Sequence, residues 1–143
     1  MDCCDVENPP TTTCPSCGQR GRKVGTVTLT SLVPDNAFET KDWKFCRTLH
    51  CPVAYYSGSD EWVSTHRVSV TIFQKVTTAD RPVCYCFSYS ARDIERDEAG
   101  QIPADIKDRC RRGQDRCPEM NPQGTCCLGN VLAIARRVRH HDL

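Results

Sequence analysis

The sequence predicts an α+β protein, a small β-rich zinc-binding subdomain followed by a small helical subdomain. Three observations point there. Cysteine supplies 12 of the 143 residues, largely in closely spaced pairs. Apolar residues before about residue 80 alternate at period two, and those after it recur at helical spacing. Four Phe, two Trp and two Met are little large apolar material for one broad core, so metals or cross-links are expected to share in holding the fold.

Residues 1–13 (MDCCDVENPPTTT) hold a Pro-Pro pair, a Thr run and almost no large apolar side chain, and read as a flexible tail. Residues 14–80 form the β-rich subdomain. From Lys23 to Val33 the residues Val27, Leu29, Ser31 and Val33 recur at period two, and His66 to Lys75 repeats the pattern with Val68, Val70 and Ile72, so both predict strands. Between them, Asp42 to Tyr56 carries two cysteines and a Val-Ala-Tyr-Tyr run suited to another strand, followed by a turn at SGSD, 57–60.

The pattern changes after Asp80-Arg81-Pro82, and residues 81–143 form the helical subdomain. Ser90 is an N-cap with an acid, Asp93, at N3 before Ile94. Pro103 sits in the first turn of a second short helix, with Ile102, Ile106 and Cys110 one turn apart and Gly113 as its stop. A third helix starts near Cys127. Its apolar stripe is Leu128, Val131, Leu132, Ala135 and Val138, opposite Arg136, Arg137 and Arg139. No internal repeat is present.

Charge excludes some functions. Lys+Arg 19 against Asp+Glu 18 gives a net charge of +1, no field for gripping nucleic acid or an anionic membrane. No apolar run approaches the roughly 20 residues of a membrane span, and the start lacks the basic-then-apolar order of a secretory signal, so a cytoplasmic protein without membrane insertion is expected. Thiols there stay reduced, which favours metal ligation over disulfides.

Two constellations carry that ligation. Cys14-Pro-Ser-Cys17-Gly18 is a knuckle in which a tight turn aims two thiolates at one point, and Cys46-x4-Cys51 offers the complementary pair. Four thiolates suit tetrahedral zinc, which would stand in for a hydrophobic core in the β half; His50 could displace one cysteine. Zinc ribbons often bind nucleic acid, but no basic cluster or stacking aromatic pair accompanies this one. In the second constellation, Cys84-Tyr85-Cys86 in an extended segment places two sulfurs on one side without favouring a bond between them. Its partners are Cys117 and the Cys126-Cys127 pair, brought round by the Asn-Pro and Gln-Gly turn of 121–124. A thiolate at Cys127 also gains from the helix N-terminus behind it.

These residues resemble known families. The stretch from Val83 to Ser90, Cys117 and the NPQGTCCLG run are similar to the [2Fe-2S] domain of bacterioferritin-associated ferredoxins (BFD). With CPSCG, FCRTLHCPVAYYS and RPVCYCF included, the chain from Cys14 to Val138 resembles the N-terminal domain of CopZ-type copper chaperones. The resemblance implies zinc at Cys14, Cys17, Cys46 and Cys51, and a [2Fe-2S] cluster at Cys84, Cys86, Cys117 and one of the adjacent pair. Cys127 is the expected fourth ligand, because Val131 and Ala135 follow it on one helix face, with Cys126 as the alternate. Such chaperones usually continue into a heavy-metal-associated domain with M-x-C-x-x-C, a motif this sequence does not contain.

The function expected is that of a metallochaperone-like protein for copper or another soft metal, its cluster supplying redox capacity. The alternative is a ferredoxin-like electron-transfer partner without cargo. Expected partners are copper- or soft-metal-transport proteins, a separate heavy-metal-associated domain and a redox partner. Cys3-Cys4, a vicinal pair of soft thiols, is the candidate cargo site for Cu(I). His140-His141 is a further, weaker one. Cys110 is expected as a buried core thiol, and Tyr85 and Phe87 as shields for the cluster sulfurs. His66 has no paired nucleophile and Asp93, Glu95, Asp97 and Glu98 line a solvated helix, so no enzyme is expected beyond stoichiometric metal reduction by the cluster.

Overall fold

A computed structural model of the chain describes residues 13–34, 38–58 and 60–141, with side chains in the last helix described as far as Val138. The first half is a four-stranded antiparallel sheet, β1 (Arg22–Val24), β2 (Trp43–Phe45), β3 (Val53–Ser57) and β4 (Glu61–Ser64), paired in chain order. Helix α1 (Thr26–Leu32) fills the connection from β1 to β2. In the second half a short hairpin of β5 (Pro82–Cys84) and β6 (Tyr89–Ser90) leads into α2 (Ala91–Glu95), α3 (Gln101–Arg111), α4 (Cys117–Met120) and α5 (Leu128–His141). Sheet and helices are thus segregated along the chain, an α+β arrangement.

The sheet carries a hydrophobic core of its own, which corrects the expectation that zinc replaces one. Trp43, Phe45 and Tyr55 are fully buried with Leu29, Val33 and Val63, and Phe45 and Tyr55 pack ring to ring with centroids 5.7 Å apart. Few aromatics suffice because three of them share one sheet face. A second cluster, Val83, Ala91, Ile94, Ile106, Val131 and Ile134, lies under the helices. Val131 and Ile134 are the most deeply buried of the described side chains in α5, so the buried stripe is rotated toward Ile134, and Leu132, Ala135 and Val138 lie at its margin.

Two expected strands are not strands. Residues 26–32 of the Lys23–Val33 segment are helical, and only Arg22–Val24 pairs in the sheet. Leu29 and Val33, four apart, are buried in either conformation, but Val27 is 48% exposed and Thr28 is buried, a helical face and not an alternating one. From His66 to Lys75 the alternation describes burial correctly, since Val68 and Ile72 enter the first core with Val70 packed against it. No ladder forms there: the segment is bounded by single 3-10 turns at Thr65–Arg67 and Phe73–Lys75, and its Ser69 N–H bonds the Leu32 carbonyl at 2.8 Å in place of a partner strand.

The helical signals hold. Ser90 and Asp93 make a reciprocal capping box on α2, and Asp97 then accepts the Gln101 and Ile102 amides at the start of α3. The segment from Cys117 to Gly124 joins the two halves. Thr28 Oγ1 donates to the Pro118 carbonyl and Tyr55 Oη to the Pro122 carbonyl, each at 2.6 Å. Gly124 adopts φ +78, and a Cβ there would meet Val24 Cγ2 at 2.8 Å and Thr28 Oγ1 at 3.0 Å. Gly124→Ala is therefore expected to lower unfolding stability by about 2 kcal/mol or more by denaturant titration. Gly113→Ala, at φ +74 in open space, is expected to cost about 1 kcal/mol.

Candidate metal centres

The knuckle forms as its residues require. Cys14 N–H bonds the Gln19 carbonyl and Gly18 N–H the Cys14 carbonyl, both at 2.9 Å, and Gly18 takes φ +74 to close the turn. Cys46 leaves β2 with its amide bonded to Ala54 O, and Cys51 precedes β3 with its amide on Thr48 O. The pairing of β2 with β3 therefore carries the second thiol pair to the first. Cys14 Sγ lies 3.8 Å from Cys51 Sγ, and Cys17 Sγ 3.8 Å from Cys46 Sγ. All four sulfurs lie within 4.8 Å of one another.

Those distances exclude disulfides, whose sulfurs sit about 2.05 Å apart. They fit a metal. Ligands about 2.3 Å from a tetrahedral ion are about 3.8 Å from each other. Cys14, Cys46 and Cys51 are buried and Cys17 half-buried, while His50 is exposed and outside the group, so the donor set is four sulfurs. Burial, with the neighbouring Cys46 thiol, pushes Cys14 up to about 12 against amide hydrogen bonds that favour its thiolate. Burial also raises Cys17, but hydrogen bonding with the Thr48 hydroxyl, 3.1 Å away, and with its other neighbours outweighs it and brings the thiol down to about 6. A cation among the four removes this conflict.

Sequence reasoning missed Lys75. Only 5% exposed, it places Nζ 3.2 Å from Cys46 Sγ and 3.0 Å from the Thr48 carbonyl. Zinc with four thiolates carries charge −2, and the ammonium offsets part of it while fixing Cys46. No local signal marks Lys75, which comes 29 residues after Cys46 in an unpaired segment.

The second set is arranged differently. Cys84 ends β5, Cys86 follows in the turn, Cys117 opens α4 and Cys127 immediately precedes α5. Cys86 Sγ and Cys117 Sγ are 3.7 Å apart, and Cys84 and Cys127 are both buried in the helical core. The four do not converge on one point as the first four do. Arg116 N–H donates to Cys86 Sγ at 3.2 Å. The bond to Cys127, with amide bonds and Arg109 opposing burial, lowers Cys84 to about 7, and the same bond and burial raise Cys127. Burial raises Cys117, and the Cys86 thiol adds to it.

Cys127 is buried and Cys126 exposed. Tyr85 does not cover the sulfurs simply as an apolar shield: its hydroxyl accepts Phe73 N–H at 3.0 Å and donates to the Thr71 carbonyl at 2.6 Å. Phe87 lies under the Arg109 guanidinium, 5.0 Å from the ring centre. Cys110 packs against the helical core but is half-buried, at its margin and not inside it as expected. Asp97 caps α3 instead of lining a solvated helix. Cys3 and Cys4 lie outside the described residues, as do the side chains of His140 and His141.

Comparison with known families now bears on the first centre. Residues 11–69 match the CopZ zinc-binding domain family. The matched stretch contains Cys14, Cys17, Cys46 and Cys51, the four thiols that converge. The fold is similar to the X-ray structure of the Archaeoglobus fulgidus CopZ N-terminal domain, with a TM-score of 0.64 and 23% identity, covering 85% of this chain and 96% of that one. At that identity the likeness concerns the fold. Comparison with curated proteins gives no match. Among the described residues no helix is long and apolar enough to cross a membrane.

Lys75→Met is expected to weaken zinc binding by about tenfold or more in competition with a chelator, with Lys107→Met, on an exposed helix face, unchanged. Acidification is expected to release the metal, because protons compete with zinc for the four sulfurs and Cys14, raised to about 12, holds its proton strongly. Zinc retained per chain after gel filtration at stepwise lower pH measures this.

Proposed function

We propose that the chain is a metal-handling, copper-chaperone-like domain in which a closed zinc site supports the fold and a [2Fe-2S] cluster at Cys84, Cys86, Cys117 and Cys127 supplies redox capacity. The observation that carries the cluster is the close pairing of Cys86 with Cys117 beside Cys84 and Cys127, which share the buried helical core, with the four not converging on one point. A single tetrahedral ion needs four converging sulfurs, whereas a binuclear cluster needs two on each iron. The 3.7 Å separation of Cys86 and Cys117 suits two ligands of one iron.

The protein's own groups fit that reading. The Arg116 amide hydrogen-bonds Cys86, and Arg109 lies near enough to Cys84 to favour its thiolate. Such contacts stabilise negative charge on sulfur and raise the potential of a centre held there. Cys127 is buried at the head of α5 while Cys126 points to solvent, which favours Cys127 as the fourth ligand. Held in this way, the cluster would exchange single electrons with a redox partner or with a bound metal ion. The zinc-binding match over residues 11–69 supports the soft-metal side of the reading over a ferredoxin without cargo.

Anaerobic purification with analysis of iron, sulfide and zinc tests the proposal. Two irons, two sulfides and one zinc per chain are expected, with a visible spectrum that bleaches on reduction. Cys86→Ser is expected to remove or shift that spectrum and leave zinc in place. Zinc alone, after reconstitution with iron and sulfide, would overturn the cluster.

A further inference from the structure

Buried polar groups in a folded chain have partners, so a buried donor without one calls for an explanation. Among the described residues, the buried side-chain polar atom that lacks one is Nδ2 of Asn121, a residue only 3% exposed. The other hydrogen-bonding groups of Asn121 are committed. Its N–H donates to the Cys117 carbonyl at 2.9 Å, its carbonyl accepts Gly124 N–H at 2.8 Å, and its Oδ1 accepts Gln123 N–H at 3.1 Å. The last bond fixes which end of the carboxamide faces the turn, so Nδ2 is the end left open. Turn chemistry does not require it, since Asp or Ser would offer Gln123 the same kind of acceptor without burying an unpaired donor.

The place of Asn121 in the chain gives the donor a use. Asn121 is the C-cap of α4, four residues after Cys117, and its bond to the Cys117 carbonyl sets the two buried side chains one turn apart on the same face. The turn it closes at Gly124 then carries the chain on toward Cys127. No described residue accepts from Nδ2, the Cys117 thiol included. We propose that Asn121 Nδ2 donates a hydrogen bond to an inorganic sulfide of the iron–sulfur centre that Cys117 helps to hold, and so tunes its reduction potential. This rests on the cluster reading above and adds to it a residue that is not a ligand. An electron taken up by such a centre adds negative charge to its sulfurs, which the Nδ2–H dipole stabilises, so Asn121 raises the potential.

The test compares the full chain with Asn121→Ser and Asn121→Asp, all purified anaerobically; both variants keep an oxygen for the Gln123 amide and lack Nδ2. Iron, sulfide and zinc are measured first, then the reduction potential by redox titration and the Fe–S vibrations by resonance Raman in H2O and D2O. In the parent, bands of the bridging sulfides are expected to shift in D2O, and both variants are expected to lose that shift. At a solution potential that half-reduces the parent, Asn121→Ser is expected to show about a tenfold lower ratio of reduced to oxidised centre, about 59 mV for one electron. Asn121→Asp is expected to fall at least as far. Unchanged potential and unchanged D2O shift in Asn121→Ser overturn the proposal, make a buried water the acceptor and leave the cluster standing. If neither variant holds iron, the parent decides, because bridging-sulfide bands indifferent to D2O overturn the hydrogen bond and shifted ones support it. A parent without iron after reconstitution overturns the cluster and this inference with it.

Discussion

Four thiol sulfurs held within 4.8 Å of one another at the edge of a small sheet repel each other once ionised, and a cation among them would turn that repulsion into a constraint on the whole first half. The knuckle enters from before β1 and the other two sulfurs from the ends of β2 and β3, so the ion joins chain positions that the sheet alone joins through three-residue strands. Strands that short pair weakly. The register of Arg22 to Val24 on Trp43 to Phe45 is held from one end by sulfur and from the other by the aromatic core. Tyr56 shows the overlap, buried against the cysteines while its hydroxyl accepts the Gly21 amide at 2.9 Å.

The constraint extends into the second half. Lys75 reaches back to Cys46, and the turn that carries it is also fixed by Phe73 N–H on Tyr85 Oη, between Cys84 and Cys86. A short chain of bonds thus runs from one set of cysteines to the other. The Cys117–Gly124 segment makes a second connection, through Thr28 and Tyr55 on one side and the Cys117 thiol on the other. The two halves are hydrogen-bonded to each other at both places, close to the cysteines of each, which two independent modules on a linker would not be.

The cysteine sets were legible because ligand geometry is encoded locally: C-x2-C and C-x-C fix sulfur directions within one turn, and the capping box at Ser90 and Asp93 is equally local. The strand predictions failed where the same pattern admits two answers. Leu29 and Val33 fall on one face at period two and at period 3.6 alike, and Thr28, the residue that separates the readings, is buried through a bond to Pro118, 90 residues away. From Val68 to Ile72 alternation reported which residues face the core and could not report the missing partner strand. Lys75 was illegible for a related reason, since its contact with Cys46 depends on where distant elements pack.

A site of four sulfurs, three of them buried, leaves a zinc ion no open position. Such a centre shapes the fold and offers nothing to a substrate or to an incoming ligand. Among the described cysteines, the exposed sulfur that ion exchange requires lies in the helical half. Accessibility is graded there: Cys84, Cys117 and Cys127 are buried, Cys86 and Cys110 half-buried, and Cys126 alone among the described cysteines is exposed. A thiol set with three members buried suits electrons, which need no opening, and an exposed thiol suits ions, which do. The loop before α5 is where both conditions meet, with Cys126 adjoining Cys127 in the chain.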